Sequence, residues 1–212
     1  MTRGLALWLL LIAAAAPAHA AYSGLTLIPT ADMLAPGQVC LDYQLFGPYP
    51  IGSGVDAAYL NTQAALGSRA EVGVDFDFTA DAPSGAVFNG KLLLRPVESG
   101  LGVAVGTYNV NENLRPTTYA AATRGGGPFR LHLGAQRTPD EETQGFAGVD
   151  YSISDLTQVY LEHIAGEENF TAVGISYQFT SRWAVLAAWL RPNDRELEDG
   201  FAIDIGCVWP VE

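Results

Sequence analysis

Eight residues from Glu71 to Phe78, Glu-Val-Gly-Val-Asp-Phe-Asp-Phe, alternate strictly between small or charged and bulky apolar side chains. The same beat returns at 38–45 (Gln-Val-Cys-Leu-Asp-Tyr-Gln-Leu) and at 129–136 (Phe-Arg-Leu-His-Leu-Gly-Ala-Gln). A period of two belongs to a β-strand and gives it one apolar and one polar face. What the apolar face meets, a protein core or lipid, decides almost everything else about the chain.

The N-terminal residues bear on that choice. Arg3 precedes an apolar run from Leu5 to Ala16, then Pro17 and Ala18-His19-Ala20. This is the order of a secretion signal with an Ala-x-Ala cleavage site, so residues 1–20 read as a signal peptide and Ala21 as the first mature residue. The run is too short to cross a bilayer as a helix, and no later apolar run reaches the roughly 18 residues that would. A membrane location therefore requires a barrel, the other structure that satisfies its own backbone in lipid.

Residues 21–37 read as an irregular periplasmic lead-in, broken by Pro29, Pro36 and Gly37. The barrel is assigned to 38–212. Strands are expected at 38–46, 55–66, 70–79, 86–95, 100–109, 116–123, 128–137, 145–152, 157–165, 169–179, 182–191 and 200–209. Their lengths suit tilted membrane strands. Long, mostly acidic links such as GPYPIGSG and PNDRELEDG follow odd-numbered strands, and tight links such as GSRA and RGGG follow even ones. Long loops on one side and short turns on the other form the outer-membrane pattern, with the long side outward. The fold class expected is all-β, a single antiparallel up-and-down transmembrane barrel of about twelve strands. A soluble β-barrel or sandwich is the competing reading. Aromatic residues near strand ends, among them Phe46, Tyr59, Phe76, Trp183 and Trp209, fit interfacial girdles, although β-propensity alone enriches the same types.

Strand parity turns Asp42, Glu71, Asp75, Asp77, Lys91, Arg95, Arg130, His132, Glu162 and Asp204 towards the lumen. Both signs of charge are present, which suits a barrel filled with ion pairs or a narrow channel. Lys91 and Arg95 are expected to pair with Asp75 and Asp77. Cys40 and Cys207 fall in the first and last strands but on opposite faces, so two separate thiols fit better than a disulfide.

Without Arg3, ten Lys+Arg stand against 23 Asp+Glu, a net charge near −13. That excludes nucleic acid as a partner, because phosphate binding needs a basic patch. Outer-membrane lipid and lipopolysaccharide are compatible partners. Catalytic signals are thin. His132 and His163 are the histidines outside the signal, and Ser176 in Gly174-Ile-Ser-Tyr-Gln lacks the second glycine of a nucleophile elbow. No cluster has metal-ligand spacing. No catalytic residue, metal or other cofactor is expected.

Gly24-Leu-Thr-Leu-Ile-Pro29-Thr30-Ala31-Asp32, closing with Pro36-Gly37, resembles the opening of the YjbH-type outer-membrane barrels associated with exopolysaccharide. The phrases Ala65-Leu-Gly-Ser-Arg-Ala-Glu71-Val-Gly-Val, Asn89-Gly-Lys91 and Glu162-His-Ile-Ala-Gly166-Glu-Glu-Asn169 are similar to that family's recurring hairpins. The resemblance implies a polysaccharide-related exit or an outer-membrane structural role and no enzyme activity; the function expected is a conduit or accessory in the export of polysaccharide or small solutes, with polysaccharide export machinery as a partner. Two alternatives stay open: a structural or adhesion barrel with acidic loops, and a lipid-modifying barrel enzyme.

Overall fold

The computed structural model describes residues 23–78, 86–111, 115–140 and 142–210, so the segment read as a signal lies outside the described residues. The chain forms twelve strands: β1 Gln38–Pro48, β2 Ala57–Leu66, β3 Ala70–Asp77, β4 Ala86–Arg95, β5 Gly102–Val110, β6 Thr117–Gly126, β7 Phe129–Arg137, β8 Thr143–Ser152, β9 Thr157–Ile164, β10 Phe170–Gln178, β11 Trp183–Pro192 and β12 Gly200–Pro210. Each pairs antiparallel with its neighbours in sequence, and β12 closes on β1 from Gln38↔Pro210 to Pro48↔Gly200. Closure leaves no strand edge unpaired, the condition for a sheet to survive in lipid.

Alternation sets the two faces. Val72, Phe76, Leu133 and Val173 are 45%, 42%, 50% and 47% exposed, whereas Glu71, Asp75 and His132 on the same strands are buried. Charged groups inside and bare valine, leucine and phenylalanine outside, repeated around the ring, invert the order of a soluble sandwich. Such a surface is stable against lipid, not water. The connections after odd strands define a loop end of the barrel, and those after even strands a turn end. The tightest turn, 127–128, has Gly127 at φ +62°, a left-handed backbone that lets β6 run on to Gly126 before reversing.

Three expectations need correction. The alternation on β4 breaks at a bulge between Leu93 and Arg95. Arg95 then stands opposite Val103, between the inward Gly102 and Ala104. One extra residue reverses the facing of everything after it. Arg95 is therefore exposed at the turn end, where it donates to Ser99 Oγ at 2.8 Å, and the pairing of Lys91 and Arg95 with Asp75 and Asp77 does not form. Phe46 and Tyr59 do not belong to a girdle either. They form an edge-to-face pair, 6.0 Å between centroids, and both border a cavity inside the barrel.

The third difference concerns the lead-in. From Ser23 onward it lies inside the barrel, with Leu25, Ile28, Thr30 and Ala31 all buried. A bridge between Gly24 and Pro29 and a 3.0 Å bond from Leu25 N to Ile28 O close it into a tight hairpin. Leu25 and Ile28 at its tip join one buried apolar cluster with Phe146, Tyr160, Leu186, Leu190 and Ala202. A closed barrel offers this segment no strand to pair with, so its leucines and isoleucine can leave water only by entering the lumen.

Candidate functional site

The inward residues of the barrel wall act first as a socket for residues 23–36, called the plug below. On β9, the Glu162 carboxylate accepts the backbone N–H groups of Leu27 and Ile28, at 3.1 and 3.0 Å. Two convergent amides at a hairpin tip present positive dipole, which a buried carboxylate complements. Tyr160, two residues away on the same face, hydrogen-bonds Thr26. On β3, Glu71 accepts Ser23 Oγ at 2.7 Å and also the Leu34 amide, gripping both ends of the plug. On β4, Lys91 donates to the carbonyls of Ser23 and Asp32, and its ammonium lies 3.8 Å from Glu71.

The far wall makes a second grip. Arg130 on β7 spans Asp32 of the plug at 2.9 Å and Asp150 of β8 at 2.8 Å. Asp150 also accepts His132 Nε2 at 2.7 Å, and His132 Nδ1 meets Thr123 Oγ1 at 2.9 Å. That hydroxyl in turn accepts the Ala31 amide at 2.9 Å. With Nε2 protonated and Nδ1 accepting, every group in the chain is satisfied. The connectivity is that of an orienting acid, a base and a nucleophile. However, Thr123, His132 and Asp150 are fully buried, and the hydroxyl's free side is taken by the plug. As built, the relay holds Ala31 and leaves no space for a substrate.

Sequence parity supplied Glu71, Lys91, Arg130, His132 and Glu162, and the plug brings all five into one network. It did not point to Thr123, Asp150, Tyr160 or the plug residues themselves. One signal was available. β11 is apolar on both faces, with Trp183, Val185 and Trp189 outward and Ala184, Leu186, Ala188 and Leu190 inward and buried. An apolar lumen wall implies an apolar occupant. The remaining candidates stand apart from the network. Asp42 and Asp204 are fully buried near the β1–β12 seam, with the Gln44 side chain beside both carboxylates. Asp75 accepts the Asn89 amide through one oxygen, while Asp77 is half-buried near the loop end. Cys40 and Cys207 are separate buried thiols. Among the described residues, no group of three or more His, Cys, Asp or Glu is placed to hold a metal ion.

Two cavities meet the plug from opposite sides. One, of about 330 Å³, is lined by the loop-end halves of β1–β6, including Gln44, Tyr59, Asn61, Asp75 and Tyr108, with Ser23–Pro29 as its floor. The other, of about 800 Å³, lies at the turn end between residues 31–36, Gln38, Val97 and Arg182. Ser23 borders both.

No protein-family model and no curated protein matches this chain. Solved structures do. The KdgM porin superposes with a TM-score of 0.58 over 79% of this chain and 98% of its own, at 11% identity. The KdgM porin in complex with disordered oligogalacturonate gives 0.55 over 80% and 98%, at 7% identity. An outer membrane channel from Pseudomonas putida F1 gives 0.46 over 84% and 97%, at 15% identity. Identities this low speak to fold alone. The chain is an outer-membrane β-barrel. In such a barrel the long loops face the cell exterior and the short turns the periplasm. The smaller cavity is then an outer vestibule, the larger a periplasmic one, and the plug is the partition between them.

Proposed function

We propose that this barrel is a gated outer-membrane conduit whose closed state is held by residues 23–36. The observation that carries the reading is the placement of the plug between two vestibules, tied to the wall by side chains rather than by sheet pairing. A partition held by discrete polar contacts and one apolar patch can leave without unfolding the wall. The barrel wall, in contrast, is a closed ring of strands paired through their backbones. The cargo of this reading is a saccharide or another small polar solute. The resemblance to YjbH-type barrels supports it, as does the likeness to a porin solved with oligogalacturonate. Polysaccharide export machinery at the periplasmic mouth and lipopolysaccharide around the acidic loops are the partners it calls for.

Conductance in planar bilayers tests the gate. The full chain is expected to be closed for most of a recording, and deletion of residues 24–35 to give a steady open conductance. If that variant keeps the heat-modifiable mobility of a folded barrel yet stays silent, the conduit reading fails. The structural or adhesion barrel would then take its place.

A further inference from the structure

The lipid-facing side of the wall sorts its charges by sign. Among the described residues, every aspartate and glutamate within the twelve strands faces the lumen. The basic side chains at outward positions are Arg95 and Arg124 at the turn end and Arg137, His163 and Arg191 at the loop end. In a chain with 23 Asp+Glu against 11 Lys+Arg, the outer wall therefore carries the minority sign. Hydrocarbon rejects either sign, but the phosphates at a membrane surface favour a cation at the edge of the apolar band.

Three strands concentrate this pattern at one spot. Across β9, β10 and β11 the outward residues Leu161, Val173 and Trp189 stand side by side, and one step nearer the loops His163, Thr171 and Arg191 do the same. The wall changes from apolar to polar within two residues, at the second position from the loop end of each strand. Neighbouring side chains in such a row are about 5 Å apart. His163 Nδ1 and Thr171 Oγ1 are hydrogen-bonded at 2.9 Å. If the imidazole donates, the hydroxyl proton is left over; if the hydroxyl donates, an N–H at Nε2 is. Each arrangement keeps one donor for a further acceptor. Arg191 holds its guanidinium over the Trp189 ring, 6.0 Å from the centroid, and pairs with no carboxylate among the described residues.

A guanidinium beside a hydroxyl–imidazole pair matches a phosphate group, whose oxygens take the forked bonds of the arginine and a neutral donor next to them. The level of the row selects the source. The loop end faces the cell exterior, so the row lies in the lipopolysaccharide leaflet, where the phosphates sit on sugars directly above the acyl chains. Leu161, Val173 and Trp189 below it offer those chains an apolar wall. Of the acids in the loops above, Glu168 accepts the Gln144 amide and Asp194 the backbone N–H of Glu196, and neither neutralises Arg191. We infer that His163, Thr171 and Arg191 form a phosphate site for lipopolysaccharide on the outer wall of the barrel, below the acidic loops. The site goes beyond the conduit reading: it needs an outer-membrane barrel and no conduction.

Native mass spectrometry of the full chain in detergent with EDTA, which removes any divalent bridge to the acidic loops, tests the site. The probes are bisphosphorylated lipid A, the same lipid without its phosphates, and phosphatidylglycerol. Phosphorylated lipid A is expected to bind at least about tenfold more tightly than either of the others, the size of one charge-assisted contact. Arg191→Gln should remove that advantage and His163→Ala reduce it, with each variant checked for folding by heat-modifiable mobility. Arg124→Gln, at the turn end of the same wall, should change nothing. Equal binding of the two forms of lipid A, or phosphatidylglycerol bound as tightly as lipid A, would overturn the assignment. So would an advantage that survives Arg191→Gln, or one that Arg124→Gln removes as well. A phosphate preference in a barrel that stays silent after plug deletion keeps the site and removes the conduit. Steady conduction without the preference does the reverse.

Discussion

Gly148 shows how much one missing carbon decides. It faces the lumen on β8, and a Cβ there would stand 2.6 Å from Ile28 Cδ1 and 3.1 Å from Leu25 Cδ1. The absence of a side chain is what lets the plug tip lie against the wall. Gly148→Leu is therefore expected to leave the barrel folded but evict the tip, raising open probability in bilayer recordings. Glu162→Gln keeps the shape and removes the charge that holds two amides. Losing a charge-assisted pair of bonds is worth roughly 1.5–3 kcal/mol, so openings should become at least about tenfold more frequent. Arg130→Ala removes the cation between Asp32 and Asp150. A buried pair broken from one side typically costs 3–5 kcal/mol (about half of a small domain's stability), and the loss should appear in urea unfolding of the refolded protein.

At the scale of elements, the plug and β11 make one unit. The inward row Ala184, Leu186, Ala188 and Leu190 is small at alternate positions and belongs to the same buried apolar cluster as Leu25 and Ile28. Leu186→Ser should keep the barrel's mobility on gels while exposing residues 23–36 to protease, because a core leucine lost to a small residue costs about 2–5 kcal/mol and this loss falls on the plug alone. The β4 bulge is the other local lesson. Parity counted from Lys91 turns Arg95 inward; one inserted residue turns it outward to Ser99. Alternation is a chain-local rule, and a bulge is decided between two strands, so a single strand's residues do not announce it.

The whole molecule is a wall that reads one solvent on each side. Leu133, midway along β7 and half exposed, faces lipid, while Gln136 on the same strand faces the lumen and accepts a 2.7 Å bond from Tyr108. Leu133→Arg should cost about 2–4 kcal/mol of stability in vesicles, the penalty for a charge at the bilayer midplane. Gln136→Ala should cost markedly less. Cys40 and Cys207 lie on opposite sides of this wall, so oxidant should leave the monomer's non-reducing mobility unchanged.

Strand count, most strand limits and most inward and outward positions were legible in the amino-acid order because they follow from period two and from turn residues, which act over a few positions. The twelve strands, the closed barrel and the outward valines and phenylalanines needed no further information. Residues 23–36 were different. Read along the chain they are an irregular stretch with two prolines, and their apolar side chains have no visible partner within it. Only closure of β12 on β1 creates the enclosed volume that receives them, and only that volume brings Glu71, Lys91, Arg130 and Glu162, more than 90 positions apart at the extremes, onto one hairpin. A contact set by the shape of an interior belongs to the tertiary structure, because the interior does not exist until the ring is complete.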